Sequence, residues 1–145
     1  MACEVLEADR ELRHRLEEIR LTAGPAMGLG DVRDATVPKL TLVSAPRGSG
    51  DLCTRTFIPH RCHDAIGVLG AVSVATAALL PDSAAHQYLR GGVDDRIVLE
   101  HPTGQFEAAI TATWDGGRPV VERAGIIRTA RKLMDGFVFA HREVT

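Results

Sequence analysis

The residues with chemistry to offer gather in three short runs. Arg61-Cys62-His63-Asp64 stand directly ahead of a charge-free stretch. A helix beginning there would present free N–H groups and the positive end of its dipole, a setting that suits an anion. Arg61 and His63 would add positive charge beside it, whereas Asp64 or His63 acting simply as a helix cap is the plainer reading. Cys62 at a helix start could carry an acidified thiol fit for acid–base work, or could be a small buried apolar residue. His101-Pro102-Thr103-Gly104 could carry His101 and Thr103 into a site from a strand turn, although Pro and Gly explain most of the run as turn formers. Arg128 and Arg131 could each grip a carboxylate with two N–H groups, or pair with a Glu or Asp of the fold. Lys132 beside them has no evident role. His14, His86 and His141 lie in polar surroundings, read as solvent-exposed, and do not cluster at metal-ligand spacing. Gly48-Ser49-Gly50-Asp51 is too short and poorly placed for a phosphate loop.

The elements that must position these groups follow from periodicity. Val5, Leu6, Leu12, Leu16 and Ile19 recur at helical spacing over residues 4–24, and Gly24-Pro25 should end that helix. Residues 26–36 read as a loop. Alternation predicts strands at 37–43 and 53–58, separated by the turn-rich 45–51. Residues 65–80 hold no charge, yet a membrane span needs about 20 consecutive apolar residues and this run is shorter and rich in Gly, Ala, Ser and Thr. The reading is a helix over about 62–80, apolar all round and therefore buried on every side. Strands follow at 96–100, 105–114 and 118–127, with Asp115-Gly116-Gly117 as a turn, giving an antiparallel meander. Residues 126–139 carry apolar groups at helical spacing.

Composition bounds the function. The 145 residues suffice for one domain, and 45% hydrophobic with 25% charged residues is a globular balance. Aromatics are 4%, so aliphatic residues build the core. A net charge of −2, from 17 basic and 19 acidic residues, argues against a nucleic-acid binder. Three cysteines with no C-x-x-C suggest neither a disulfide framework nor a zinc site. The charged start excludes a secretory signal, no segment reads as membrane-spanning, and the expected compartment is the cytoplasm.

Four segments together resemble the PrpF family of isomerases: EEIRLTAGPAMGLGDVRDATVPKLTLVSAP at 17–46, CHDAIGVLGAV at 62–72, HPTG at 101–104 and AGIIRTARKLMDGFVF at 124–139. The run Arg128 to Gly136 is the most specific. The resemblance implies an α+β, diaminopimelate-epimerase-like lobe, an antiparallel β-barrel-like sheet wrapped around one buried apolar helix. Family members have two such lobes with substrate in the cleft between them, and this chain resembles the C-terminal lobe only. Residues 1–145 are then a single domain, with a peripheral amphipathic helix at 1–25 and the barrel lobe at 36–145. The resemblance also favours extended structure over a helix at 128–139.

What it implies about activity is a shift of a carbon–carbon double bond in an unsaturated di- or tricarboxylate, without metal or cofactor. An allylic proton leaves and another returns at the far end of a three-carbon unit, which needs a base, an acid and stabilisation of the anion between. On this resemblance the helix-start N–H groups with Arg61 and His63 hold a substrate carboxylate; Asp64, His101, Thr103, Gly104 and Arg128 are the further candidate contacts, and the acid–base residues stay unassigned, with Cys62 and His63 as candidates. The principal acid–base groups are expected in an N-terminal lobe that this chain lacks. Two other expectations stand beside an isomerase half: a stand-alone or self-paired polycarboxylate-binding module, and a truncated, inactive product.

Overall fold

A computed structural model describes residues 2–92 and 95–139; His141 lies outside them. The N-terminal stretch forms two helices, α1 (Cys3–Ala8) and α2 (Arg10–Ala26), where one was expected. Asp9 divides them. Its backbone is extended, and its carboxylate accepts the Leu12 N–H at 2.9 Å, capping α2. Pro25 gives up its own hydrogen bond in the last turn, but α2 still reaches Ala26.

The buried stripe of α2 is Leu16, Arg20 and Gly24, while Val5 and Ile19 are exposed. Arg20 is the surprise, a charged residue only 1% exposed. Its guanidinium bonds both carboxylate oxygens of Glu17, at 2.7 and 2.8 Å. It also donates to the carbonyls of Val32, Ala35 and Val37 at 2.7, 3.0 and 2.8 Å. The 27–38 loop is thereby fastened to α2, with Val32 packed where a Cβ on Gly24 would come within 2.5 Å of it.

Five strands form one sheet in the order β1-β2-β3-β4-β5: β1 Leu40–Ser44, β2 Leu52–Phe57, β3 Arg96–His101, β4 Gly104–Asp115 and β5 Arg118–Ile127. β1 and β2 are antiparallel, β2 and β3 parallel, and β3, β4 and β5 the expected antiparallel meander. Gly116 and Gly117 both take positive φ, 54° and 81°, as a tight hairpin whose twist suits its strands requires. A register shift at Thr111/Ala112 adds to the curl.

The parallel β2–β3 connection carries α3 (Val68–Ala78) and the short α4 (Ala84–Tyr88). α3 lays Ala71, Val74, Ala75 and Ala78 on a core containing Leu52, Ile97, Leu99, Phe106, Ala108 and Ile110. Its small side chains let helix and sheet approach closely. Two expectations change here. α3 begins at Val68, not near residue 62, so His63 and Asp64 precede it as loop; its N-cap is Gly67, with no side-chain cap. Nor is α3 enclosed. Leu69 is 82% exposed, because five strands curl round one side of the helix and leave the other open. Residues 128–139 form neither helix nor strand, and Leu133, Met134, Phe137, Val138 and Phe139 are all exposed.

Candidate functional site

β2 delivers the first run. After Phe57 the chain turns tightly, the Ile58 N–H donating to the Arg61 carbonyl at 2.9 Å, and Cys62 returns to bridge Phe57. The His63 N–H then donates to the Thr56 carbonyl at 2.7 Å, so the strand edge holds the backbone of 62–63. The His63 ring stays exposed. Its Nδ1 lies 3.1 Å from the Ala65 nitrogen and 3.0 Å from the Ala65 oxygen, engaging Ala65 in either tautomer, and Nε2 has no partner among the described residues.

The β3–β4 turn brings up the second run. The Thr103 hydroxyl donates to the Asp64 carbonyl at 2.8 Å and lies 3.3 Å from His101 Nδ1. A hydroxyl has one proton, here given to Asp64, so toward the imidazole it can only accept. That arrangement suits the tautomer with hydrogen on Nδ1 of His101, in which the lone pair sits on Nε2. His63, Asp64, His101 and Thr103 are thus joined at one end of the sheet. A Cβ on Gly104 would meet the His101 ring at 3.6 Å, ordinary contact, so crowding does not dictate glycine there.

Arg128 arrives at the same end. β5 pairs Ile127 with Glu107, and the next residue in that register stands opposite Phe106. The Arg128 guanidinium lies over the Phe106 ring, 4.6 Å from its centre, a cation–π contact on a buried aromatic. Among the described residues it has no carboxylate partner, so its N–H groups remain available. Arg131 likewise has no ion pair there, whereas Lys132 pairs with Asp135. Arg61 and the Asp64 carboxylate are exposed and make no side-chain hydrogen bond or ion pair among the described residues.

Cys62 turns the other way. Its side chain is buried with Leu6, Leu16 and Phe57, and its N–H donates to Glu7 at 2.7 Å. Burial, reinforced by the neighbouring Cys3 thiol, pushes the Cys62 thiol up to about 12 against a smaller opposing pull from Arg55. With the helix starting six residues later, the dipole that would have acidified it is elsewhere.

That dipole belongs to Val68, Leu69 and Gly70, whose N–H groups open the first turn of α3 with no side-chain cap. They border an open cavity of about 810 Å³ between α3, β1 and the 27–38 loop, lined largely by apolar groups with Lys39, Thr41, Thr56 and Ser73 among them. A second cavity of about 690 Å³ carries Asp51, Asp95 and Glu107 together with Arg96, which pairs with Glu107 at 3.0 Å, a lining acidic on balance.

One group the sequence did not mark supports this end of the sheet. Glu100 is buried, and its carboxylate accepts the N–H groups of Arg47, Gly48 and Gly50 at 2.7, 2.8 and 3.0 Å. Burial works to raise its pKa, but the three N–H bonds and the charge of Arg90 together hold it below the usual carboxylate range. The glycine-rich loop at 48–51 thus does cradle an anion, one supplied by the fold itself.

The architecture, a curled sheet against one central helix, is that of a methylitaconate-delta-isomerase crystal structure. The two agree with a TM-score of 0.73 at 24% identity, over 95% of this chain and 40% of that one. The chain belongs to the PrpF protein family, whose sequence profile matches residues 2–141. A 4-oxalomesaconate tautomerase of Pseudomonas putida is 50% identical over 143 residues, 97% of this chain and 38% of the relative. A (4E)-oxalomesaconate Delta-isomerase of Novosphingobium sp. is 49% identical over 92% of this chain and 37% of its own. A 2-methyl-aconitate isomerase of Shewanella oneidensis is 28% identical over 92% of this chain. The chain therefore spans less than two fifths of the length of these relatives. No described helix is long and apolar enough to cross a membrane, and no cluster of metal-ligating side chains occurs among the described residues.

Proposed function

We propose that this chain is the C-terminal lobe of a double-bond-shifting isomerase acting on an unsaturated tricarboxylate of the oxalomesaconate kind, completed by an N-terminal lobe. The observation that carries this reading is the Thr103–Asp64 hydrogen bond, which gathers the 61–67 loop and the 101–104 turn beside a helix start with no side-chain cap. The names of the two relatives near 50% identity supply the substrate class.

In this mechanism the first-turn N–H groups of α3 and the Arg128 guanidinium hold substrate carboxylates, which such groups do through charge-assisted bonds. A held carboxylate orients the allylic C–H and draws off charge as the proton leaves. His101 Nε2, which holds the lone pair in the tautomer that Thr103 suits, is the candidate base on this lobe, and His63, next to the Asp64 that Thr103 binds, is a second proton carrier. Buried and with its proton tightly held, Cys62 serves packing. The reaction moves one proton off and one proton on, with no net redox change, and asks for no cofactor. The partner acid and the other half of the anion site come from the N-terminal lobe.

The test is a two-dimensional amide NMR titration of the chain with 4-oxalomesaconate and with aconitate at millimolar concentration. Selective shifts at His63, Asp64, residues 67–70 and Thr103 are expected, with little isomerisation by the chain alone. A folded spectrum with no shifts there removes the carboxylate site from this lobe. Turnover by the isolated chain at an ordinary enzymatic rate overturns the need for a second lobe.

A further inference from the structure

Cys3 and Cys62 meet across two elements. On α1, residues 3 and 7 are four apart and share a face. Glu7 of that face bonds the Cys62 N–H at 2.7 Å, and Cys3 packs against the cluster that contains Cys62. Within that cluster the Cys3 side chain is near enough to weigh on the Cys62 proton. Cys3 is half-buried and reachable from solvent, while Cys62 is buried. Cys53, the third cysteine, is buried on β2, where its sulfur accepts the Arg55 guanidinium at 3.3 Å. We propose that Cys3 and Cys62 are a redox pair that closes into a reversible disulfide, clamping α1 onto the segment that leads directly into His63.

The chemistry balances with a small disulfide such as oxidised glutathione as the oxidant. The Cys3 thiolate attacks one sulfur, breaking the glutathione disulfide and releasing one glutathione thiolate. The Cys62 thiolate then attacks the Cys3 sulfur of that mixed disulfide, forming the internal bond and releasing the second glutathione. Two protein thiols are oxidised, one external disulfide is reduced, and the two thiol protons pass to the two glutathiones. Since burial holds the Cys62 proton to about 12, closure should quicken by up to about tenfold per pH unit across the mildly alkaline range.

The experiment treats the native chain with oxidised glutathione, quenches with acid, unfolds it and alkylates the remaining thiols before intact-mass and peptide analysis. Expected is a form carrying one alkyl group, on Cys53, where the reduced chain carries three, together with a Cys3–Cys62 cross-linked peptide and full reversal by dithiothreitol before alkylation. Cys62→Ser should stop at a glutathione adduct on Cys3. A wild-type chain that also stops at that adduct, or a cross-link that uses Cys53, overturns the proposal.

Discussion

Replacing Glu100 by Gln tests whether one buried carboxylate organises this end of the sheet. The wild-type side chain takes three backbone N–H bonds from a loop fifty residues earlier. Glutamine keeps one oxygen, enough for Gly48 and Gly50, but points an NH₂ at the Arg47 N–H, donor against donor. A hydrogen bond to a charged group contributes about 1.5–3 kcal/mol and a neutral one about 1. Two bonds are weakened and one donor is stranded, while the desolvation of a charge is relieved, which leaves a net loss of about 2–3 kcal/mol. For a chain of this size that lowers Tm by roughly 6–12 °C.

The pH dependence has a definite sign. The folded pKa of Glu100 is depressed, so its stabilisation is fully present above the unfolded carboxylate range and fades as pH falls through the folded pKa. Melting of wild type and Glu100→Gln, followed by circular dichroism from pH 7 down to pH 3, should show a gap that narrows once the carboxylate protonates. A variant that melts with wild type at pH 7 refutes the cradle as a stabilising device. A gap of constant width down to pH 3 refutes its dependence on charge.

Arg20→Met should cost about 3 kcal/mol or more, because it strands three carbonyls and the Glu17 carboxylate at once; urea unfolding measures the loss, and faster tryptic cleavage after Arg33 should report the released loop. Arg128→Lys, which keeps the charge and loses the two-pronged grip, should weaken tricarboxylate binding about tenfold in the NMR titration with little change in Tm. Unchanged affinity would assign Arg128 to shielding Phe106.

The meander β3–β5 was legible because its signals are local: alternating apolar residues on strands and a Gly-Gly pair where positive φ is required. The start of α3 was not. Ala65, Ile66 and Gly67 look like helix, yet the Ala65 backbone is bound to the His63 ring and Gly67 caps without a side chain, so nothing in the residue types marks the boundary. The division of the N-terminal helix at Asp9 did carry a signal, an Asp three residues before the capped N–H, which the continuous apolar spacing masked. Arg20 and Glu100 were illegible for one shared reason. Apart from the Arg20–Glu17 pair, their partners are backbone groups distant in sequence, and a charged residue with such partners cannot be told from one facing water.

The charge-free run at 65–80 and its half-open setting say more together than apart. Its composition calls for cover on all sides, and the sheet covers one. The exposed Val68 and Leu69 keep apolar area in water at roughly 25 cal/mol per Å², beside a cavity lined largely by apolar groups. Water alone as neighbour gives no reason for such residues at the start of α3. On the proposed function a second lobe closing there would give two: it would bury the apolar rim, and by excluding water it would strengthen every charge-assisted bond from the α3 start and Arg128 to a bound carboxylate. On the proposed function, the features that make this lobe incomplete as a solvated body are those that would make it effective as half of a cleft.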